Sequence, residues 1–194
     1  MKVIGIKGNY NASEKAQVYL MADSSLLKDG KPLFLPDFAK EFIAYPALVV
    51  KINRLGKNIA KRFASRYYDA VTVGLCVEAH DFSNNAKIAG TASIVNAFDG
   101  AAILGDFTSI ENYDLTSNHI INISSTSGDN IELNTADMVL DIDSLVEELS
   151  KYYTFKIGDI LFTGYKPELG IKLSINDNII GKLDNNELLH FKIK

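Results

Sequence analysis

The spacing of apolar and polar residues changes several times along the chain, and each change marks an expected element. Lys2–Ile6 reads as a short strand ended by a Gly8-Asn9 turn. Asn11–Leu26 has no clear pattern, and Ser13–Leu20 within it is compatible with a short helix. Lys28–Pro32 is a turn, followed by a short extended LFLP piece ended by Pro36. Ala47–Ile52 is apolar except for Lys51 and predicts a strand with a buried face, while Pro46 argues against a helix there. Ile59, Phe63 and Tyr67 recur at helical spacing, with Asn58 placed to cap the first turn. Val71–Val77 is strand-like, and Gly90–Phe107 reads as irregular with short extended pieces.

From Thr108 the pattern becomes that of a β-meander. Alternation across Ile120–Ser125 meets a Ser127-Gly128-Asp129 turn and resumes at Ile131. Ile142, Leu145, Val146, Leu149 and Tyr152 form one apolar stripe and predict a helix over Asp141–Tyr152, with Ser144 and Glu147 spaced either as a capping box or as a register within the first turn. Asp159–Gly164 is a buried strand, and two hairpins are expected at Asn176–Asn178 and Asp184–Asn186. The sum is a mixed, mostly-β single domain over residues 1–194 with two main helices, not a doubly wound sheet.

Composition narrows the function classes. The 194 residues carry a formal net charge of -4, which gives no general attraction to nucleic-acid phosphate. No run approaches the about 18 apolar residues of a membrane helix, and the N-terminus lacks a signal-peptide core, so a cytoplasmic protein is expected. A single cysteine, Cys76, excludes an internal disulfide.

Chemistry is expected first in Ala70–Phe107, which holds Cys76 and His80. In a helix their spacing would put both on one face; in a strand they lie about 13 Å apart. Val71, Val73, Leu75 and Val77 around the thiol make a core cysteine the plainer reading. Glu78, Asp81 and Asp99 are acidic, but no D-x-D, E-x-E or H-x-x-x-H spacing near Cys76 or in Ala44–Ile52 points to a metal. The glycines between Gly158 and Gly170 match no phosphate-loop pattern. His119 and His190 sit in strand patterns and read as packing or surface residues.

The order of segments carries more information than any one motif. GNY at Gly8–Tyr10, LLKDGKPLFLPDFAKE at Leu26–Glu41, VVKINRLGKNI at Val49–Ile59, YYD at Tyr67–Asp69, NAFDGAAILGDF at Asn96–Phe107, NTADM at Asn134–Met138 and GDILFTG at Gly158–Gly164 follow one another at family spacing. In this the chain resembles the fumarylacetoacetate hydrolase superfamily, in its short bacterial form akin to acylpyruvate hydrolases, oxaloacetate decarboxylases and 2-hydroxyhepta-2,4-dienedioate isomerases. The resemblance implies a β-roll or sandwich of twisted sheets, a homodimer, and a Mg²⁺ or Mn²⁺ site for 2-oxo acids. There an E-x-E pair and an aspartate hold the metal, a His–Glu pair activates water and a lysine polarises the substrate.

Carried onto this sequence, the resemblance puts the E-x-E ligands on Tyr45 and Ala47 and the aspartate on Cys76. His80 stands for an arginine, Asn96 for the lysine, and Ser13 and Ala16 for the His–Glu pair, while Asp81 persists. The T-G-T-P loop reads Thr163-Gly164-Tyr165-Lys166. The expectation is therefore a homologue without metal-dependent catalysis and without a metal cofactor. It would pair as a homodimer and bind a small carboxylate or a protein at a pocket of Tyr10, Tyr45, Glu78, Asp99, Thr163, Gly164 and Tyr165, with no nucleic-acid or membrane partner. The alternative is an enzyme acting on 2-oxo acids, by residual Mg²⁺- or Mn²⁺-dependent chemistry or by a rebuilt site using Glu78, Asp81, Asp99 or the Cys76/His80 pair. A rebuilt site requires convergence in a cleft, with His80 in hydrogen-bond reach of a partner.

Overall fold

The computed structural model describes residues 1–13, 15–82 and 92–194. In chain order its strands and helices are β1 (Val3–Lys7), β2 (Gln17–Met21), β3 (Leu26–Leu27), β4 (Phe42–Ile52), α1 (Lys61–Ala64), β5 (Tyr68–Ala79), α2 (Ala92–Val95), β6 (Ala102–Leu104) and β7 (Thr108–Ser109). They continue with β8 (Ile120–Ser125), β9 (Asn130–Asn134), α3 (Ile142–Tyr152), β10 (Ile160–Phe162), β11 (Ile171–Lys172), β12 (Asn178–Leu183) and β13 (Asn186–Lys192). Among the described residues these strands form two sheets. The larger runs β2-β1-β10-β4-β5-β6-β3, with β11 on β4 and β7 on β5, and the smaller runs β13-β12-β8-β9.

The long antiparallel pair β4–β5 is the spine. Its two faces sort the side chains by parity, as a pleated strand must. Leu48, Val50 and Ile52 of β4 and Val71, Val73, Leu75 and Val77 of β5 face the main core. There they pack with Ile121, Ile123, Leu133, Ile179 and Phe191 of the small sheet and with the α3 stripe of Ile142, Leu145, Val146 and Leu149. Tyr45, Ala47, Val49 and Cys76 face the other way, into a smaller cluster with Val3, Tyr19, Phe162 and Tyr165. The candidate site grows on this second face.

Pro46 lies inside β4, and the topology explains why it fits. The carbonyls of Phe42 and Leu48 and the N–H of Ile52 all bond on the β10/β11 side. By alternation the Pro46 nitrogen points to that side as well. There β10 covers Val49–Lys51 and β11 covers Ile43–Ala44, leaving Pro46 between them. No ladder bond is lost.

Four local expectations are corrected. Ser13–Leu20 holds no helix in the described residues; Gln17–Met21 is a strand whose Tyr19 and Met21 turn inward, because period-two alternation prevails and Gly5 leaves room for the Tyr19 ring. Asn58 caps no helix. It takes a left-handed backbone at φ 52°, its N–H donates to the Ser150 carbonyl, and only one helical turn follows at Lys61–Ala64. In α3 the cap is Asp141, which accepts the Ser144 N–H at 2.7 Å, so of the two readings of Ser144 and Glu147 the capping box is excluded and the register within the first turn holds. Asn176–Asn178 does not close a hairpin, since the strand before it pairs with β4. The Asp184–Asn186 hairpin, the β8–β9 hairpin, the α3 helix and the Ile160–Phe162 strand stand where the pattern puts them. Within Gly90–Phe107, residues 90 and 91 lie outside the described residues; the rest contains α2 and β6.

Candidate functional site

Glu78 is the centre of the second face. It sits near the end of β5 with 7% of its side chain exposed. Its Oε1 accepts from Lys7 Nζ at 2.9 Å, from Asn96 Nδ2 at 3.1 Å and from the Tyr165 hydroxyl. Its Oε2 lies 3.6 Å from His80 Nε2, and that nitrogen is 2.8 Å from the Tyr45 hydroxyl. A buried carboxylate is tolerated when paired and hydrogen-bonded, and here one cation and two neutral donors converge on a single oxygen.

The two tyrosines are packed as a unit. Tyr45 and Tyr165 stack with ring centroids 4.7 Å apart and planes 17° apart. Burial, then the charges of Glu78 and Glu41, push the Tyr45 phenol up to about 12. Burial first, and then the thiol of Cys76 and the carboxylate of Glu78, drive the Tyr165 phenol well above its ordinary value. Both are neutral donors or acceptors at physiological pH.

Cys76 pairs across the ladder with Tyr45 and is buried. Burial pushes its thiol up to about 12; the Tyr19 hydroxyl beside it acts in the opposite sense and Glu78 adds to the rise. A thiol so placed is a core residue, neither ligand nor nucleophile. The thiol arm of a rebuilt site is thereby removed. The histidine arm is different, because His80 does reach partners.

The remaining expected residues separate from this cluster. Asp81 accepts the backbone N–H groups of Lys40 and Glu41 at 2.8 and 3.0 Å and serves as a turn clip. Asp99 is exposed and accepts the Ser24 hydroxyl at 2.8 Å. Ser13 is exposed and bonds Asn11, and Ala16 packs against the main core. Thr163 is buried, its hydroxyl donating to the Leu48 carbonyl at 3.1 Å. Gly164 holds φ 126° with its missing Cβ site 2.6 Å from Asn9 Cβ, so no other residue fits. Tyr10 carries Lys166 over its ring at 5.9 Å and packs on the main core, and burial raises its phenol. Of the expected pocket, Tyr45, Glu78 and Tyr165 come together, joined by His80 and Asn96. Tyr10, Asp99 and Thr163 make no hydrogen bond to them among the described residues.

Lys7 was not singled out by sequence. Its signal was present but faint: it ends the alternating run of β1 on the same face as Val3 and Gly5. Its partner lies 71 residues away, which no local pattern shows.

A hard divalent cation takes about six oxygen ligands, several of them carboxylate. At the three positions where the resemblance expects the metal ligands, this chain has a phenol on Tyr45, a methyl on Ala47 and a buried thiol on Cys76. The carboxylate that stands nearby, Glu78, already has its Oε1 filled. Among the described residues no three His, Cys, Asp or Glu side chains converge as metal ligands. The donor set does not fit Mg²⁺ or Mn²⁺.

A cavity of about 490 Å³ opens elsewhere, between Ile110–Asn118 and the start of α3. Its carboxylates are engaged internally: Asp114 by Thr116 and Ser117, Asp141 by Lys61 and Ser144, and Asp143 by Tyr68. It shares no residue with the Glu78 cluster.

With the sheet order and this corner described, comparison with known proteins places the chain. The family described as fumarylacetoacetate (FAA) hydrolase C-terminal matches residues 6–178, and the chain belongs to it. Oxaloacetate tautomerase fahd-1, mitochondrial, of Caenorhabditis elegans is 27% identical over 78% of this chain and 71% of its own length. A fumarylpyruvate hydrolase from Pseudomonas aeruginosa, solved with Mn²⁺ and pyruvate, superposes with a TM-score of 0.87 at 19% identity, covering 100% of this chain and 89% of its own. A 5-carboxymethyl-2-hydroxymuconate delta-isomerase from Mycobacterium smegmatis gives 0.86 at 22%, covering 99% and 76%. At these identities the structural likeness establishes the fold. Among the described residues no helix is long and apolar enough to cross a membrane.

Proposed function

We propose that this chain is a family member that works without the divalent cation and binds a small carboxylate at the Lys7–Glu78–His80 corner, as a homodimer in the cytoplasm. One observation carries the reading: the family's ligand positions hold Tyr45, Ala47 and Cys76, and Tyr165 stacks on Tyr45 at that place. A stacked pair of phenols and a buried thiol offer a hard cation no carboxylate, so stabilisation of an enolate by metal loses its basis. The corner keeps two basic side chains, Lys7 and His80, each 37% exposed and set on opposite oxygens of Glu78. An ammonium and an imidazole are what a small carboxylate needs from a binding surface.

The test is calorimetric titration of the full chain with oxalate in the presence of EDTA. Saturable binding that Lys7→Met weakens at least tenfold supports the reading, and no binding at millimolar oxalate overturns it. Light scattering after gel filtration measures the dimer.

A second reading, metal-dependent action on 2-oxo acids, is favoured by the relatives: a protein named oxaloacetate tautomerase and a fumarylpyruvate hydrolase holding Mn²⁺ and pyruvate. Turnover of oxaloacetate that requires added Mn²⁺ and disappears with EDTA would establish it over the first.

A further inference from the structure

Charge is unevenly spread along this chain. Residues 51–66 and 149–158 together hold eight lysines and arginines and no aspartate or glutamate, which leaves the other 12 basic residues against all 24 acidic ones. The fold joins these two segments. Gly56 and Phe155 exchange backbone hydrogen bonds at 3.2 and 2.8 Å, the Asn58 N–H donates to the Ser150 carbonyl at 3.0 Å, and Lys57 Nζ donates to the Tyr152 carbonyl at 2.9 Å. The loop after β4 thus lies beside the end of α3 and the loop that follows it. Arg54 stands 5.9 Å from the Tyr67 ring, and the Tyr67 N–H bonds the Ala64 carbonyl of α1, so α1 borders the same surface.

Apolar side chains stand out of this basic surface. Leu55, Tyr152 and Ile157 are 63%, 65% and 73% exposed, and Phe63 of α1 is exposed as well. Apolar area left in water at one place is area that a partner can cover. Around it Arg54, Lys57, Arg62, Arg66 and Lys156 are exposed, and among the described residues none of them pairs with a carboxylate. Lys61 and Lys151, toward α3, are paired with Asp141 and Glu148.

We infer that this surface docks the protein onto an anionic membrane, with Leu55, Phe63, Tyr152 and Ile157 entering the interfacial layer and the unpaired lysines and arginines facing the lipid phosphates. Apolar side chains ringed by basic ones are what a protein lying on such a surface needs, and apolar burial and attraction to anionic lipid then add. A contact of this kind requires no spanning helix, so the lack of one among the described residues does not bear on it. The acidic remainder of the chain gives the contact direction, because a negative surface draws the basic side and turns the rest away. Other occupants fit less well. A peptide needs a groove, and neither the cavity beside Ile110–Asn118 nor the smaller one beside Asp106 and Glu187–His190 is lined by any of the four apolar side chains. Single-stranded nucleic acid needs open aromatic faces for its bases, and the guanidinium groups of Arg62 and Arg66 already lie 4.8 and 5.0 Å from the Phe63 ring centre. None of these residues bonds Glu78, so the inference is independent of the carboxylate-binding reading.

Sedimentation of the full chain with vesicles tests it. Vesicles of phosphatidylcholine and phosphatidylglycerol in equal parts should carry the protein down, vesicles of phosphatidylcholine alone should not, and about 1 M NaCl should release it. Arg62→Glu combined with Arg66→Glu should lower the partition coefficient at least about 25-fold, from about fivefold for each cation lost near the surface. Leu55→Ser combined with Ile157→Ser leaves the charge unchanged and should lower it at least about tenfold. All four positions are exposed, and unchanged melting temperatures confirm that the variants fold. Because the chain has no tryptophan, Ile157→Trp reports insertion directly: its emission should move to the blue on the anionic vesicles. Ile175→Trp, at an exposed position beside the C-terminal strand end, should not move. Absence of co-sedimentation at low salt overturns the inference. So does binding that either double substitution leaves unchanged, a blue shift in Ile175→Trp equal to that in Ile157→Trp, or tight binding of a single-stranded oligonucleotide with none to vesicles.

Discussion

Tyr165 donates its hydroxyl to Glu78 while its ring stacks on Tyr45 at 4.7 Å. One side chain thus covers Tyr45 with apolar surface and also satisfies the buried Glu78 carboxylate. Tyr165→Phe preserves the stack and deletes the donor. A hydrogen bond to a charged, buried group is worth about 1.5–3 kcal/mol, so urea unfolding is expected to show a loss of that size. Tyr45→Phe is expected to cost less, about 1 kcal/mol, because its partner His80 is open to water. An equal or larger loss in Tyr45→Phe would contradict this ordering.

Alkaline pH is expected to destabilise the fold before it affects the surface. Burial, against the Tyr19 hydroxyl beside it and with Glu78 adding to the rise, raises the Cys76 thiol from 9.0 to about 12. Burial, with the Glu78 and Glu41 charges, raises the Tyr45 phenol from 10.0 to about 12. Each folded-state value lies above its unfolded one, so below about pH 9 both states hold the proton and nothing is lost. Above that the unfolded chain releases protons that the native state retains, and stability falls as pH rises through the window to about 12. Urea midpoints measured from pH 7 to 11 should decline from about pH 9, and Cys76→Ala should flatten the first part of the decline. In the native protein at pH 8 the thiol should react with a disulfide reagent at least about 100-fold more slowly than in denaturant.

How much of this could be read in advance follows distance along the chain. The α3 stripe from Ile142 to Leu149 and the Ala47–Ile52 strand are local patterns, and both stand as read. Ser13–Leu20 and Asn58 depart from their local patterns because their conformations are set by contacts outside the segment: Gly5 beneath Tyr19, and Ser150 holding the backbone of Asn58. The resemblance placed Tyr45, Cys76 and Asn96 at functional positions, but it said what was missing and not what replaced it. The Glu78 cluster draws on residues 7, 45, 80, 96 and 165, and only the folded sheet order brings β1, β4, β5 and the loop after β10 to one place.

Gly164 is the most constrained backbone position at this corner. Its φ of 126° is open to glycine, and a Cβ there would stand 2.6 Å from Asn9 Cβ. Asn9 in turn donates to the Thr163 and Leu140 carbonyls at 2.8 and 2.9 Å, so it has no room to retreat. Gly164→Ala is expected to lose on the order of 3 kcal/mol from strain and overpacking, read as a drop in melting temperature or in soluble yield. Gly128→Ala, at φ 105° but with nothing within 4 Å, is the control and should lose less.

The central claim is that this corner works without a divalent cation, and Mn²⁺ titration of the full chain tests it most directly. Isothermal calorimetry up to millimolar Mn²⁺ should give no saturable site, and the melting temperature should be unchanged by Mn²⁺ or EDTA, whereas a ligand at 100 times its Kd would add about 2.7 kcal/mol. Stoichiometric micromolar Mn²⁺ binding that Glu78→Gln abolishes would contradict the account.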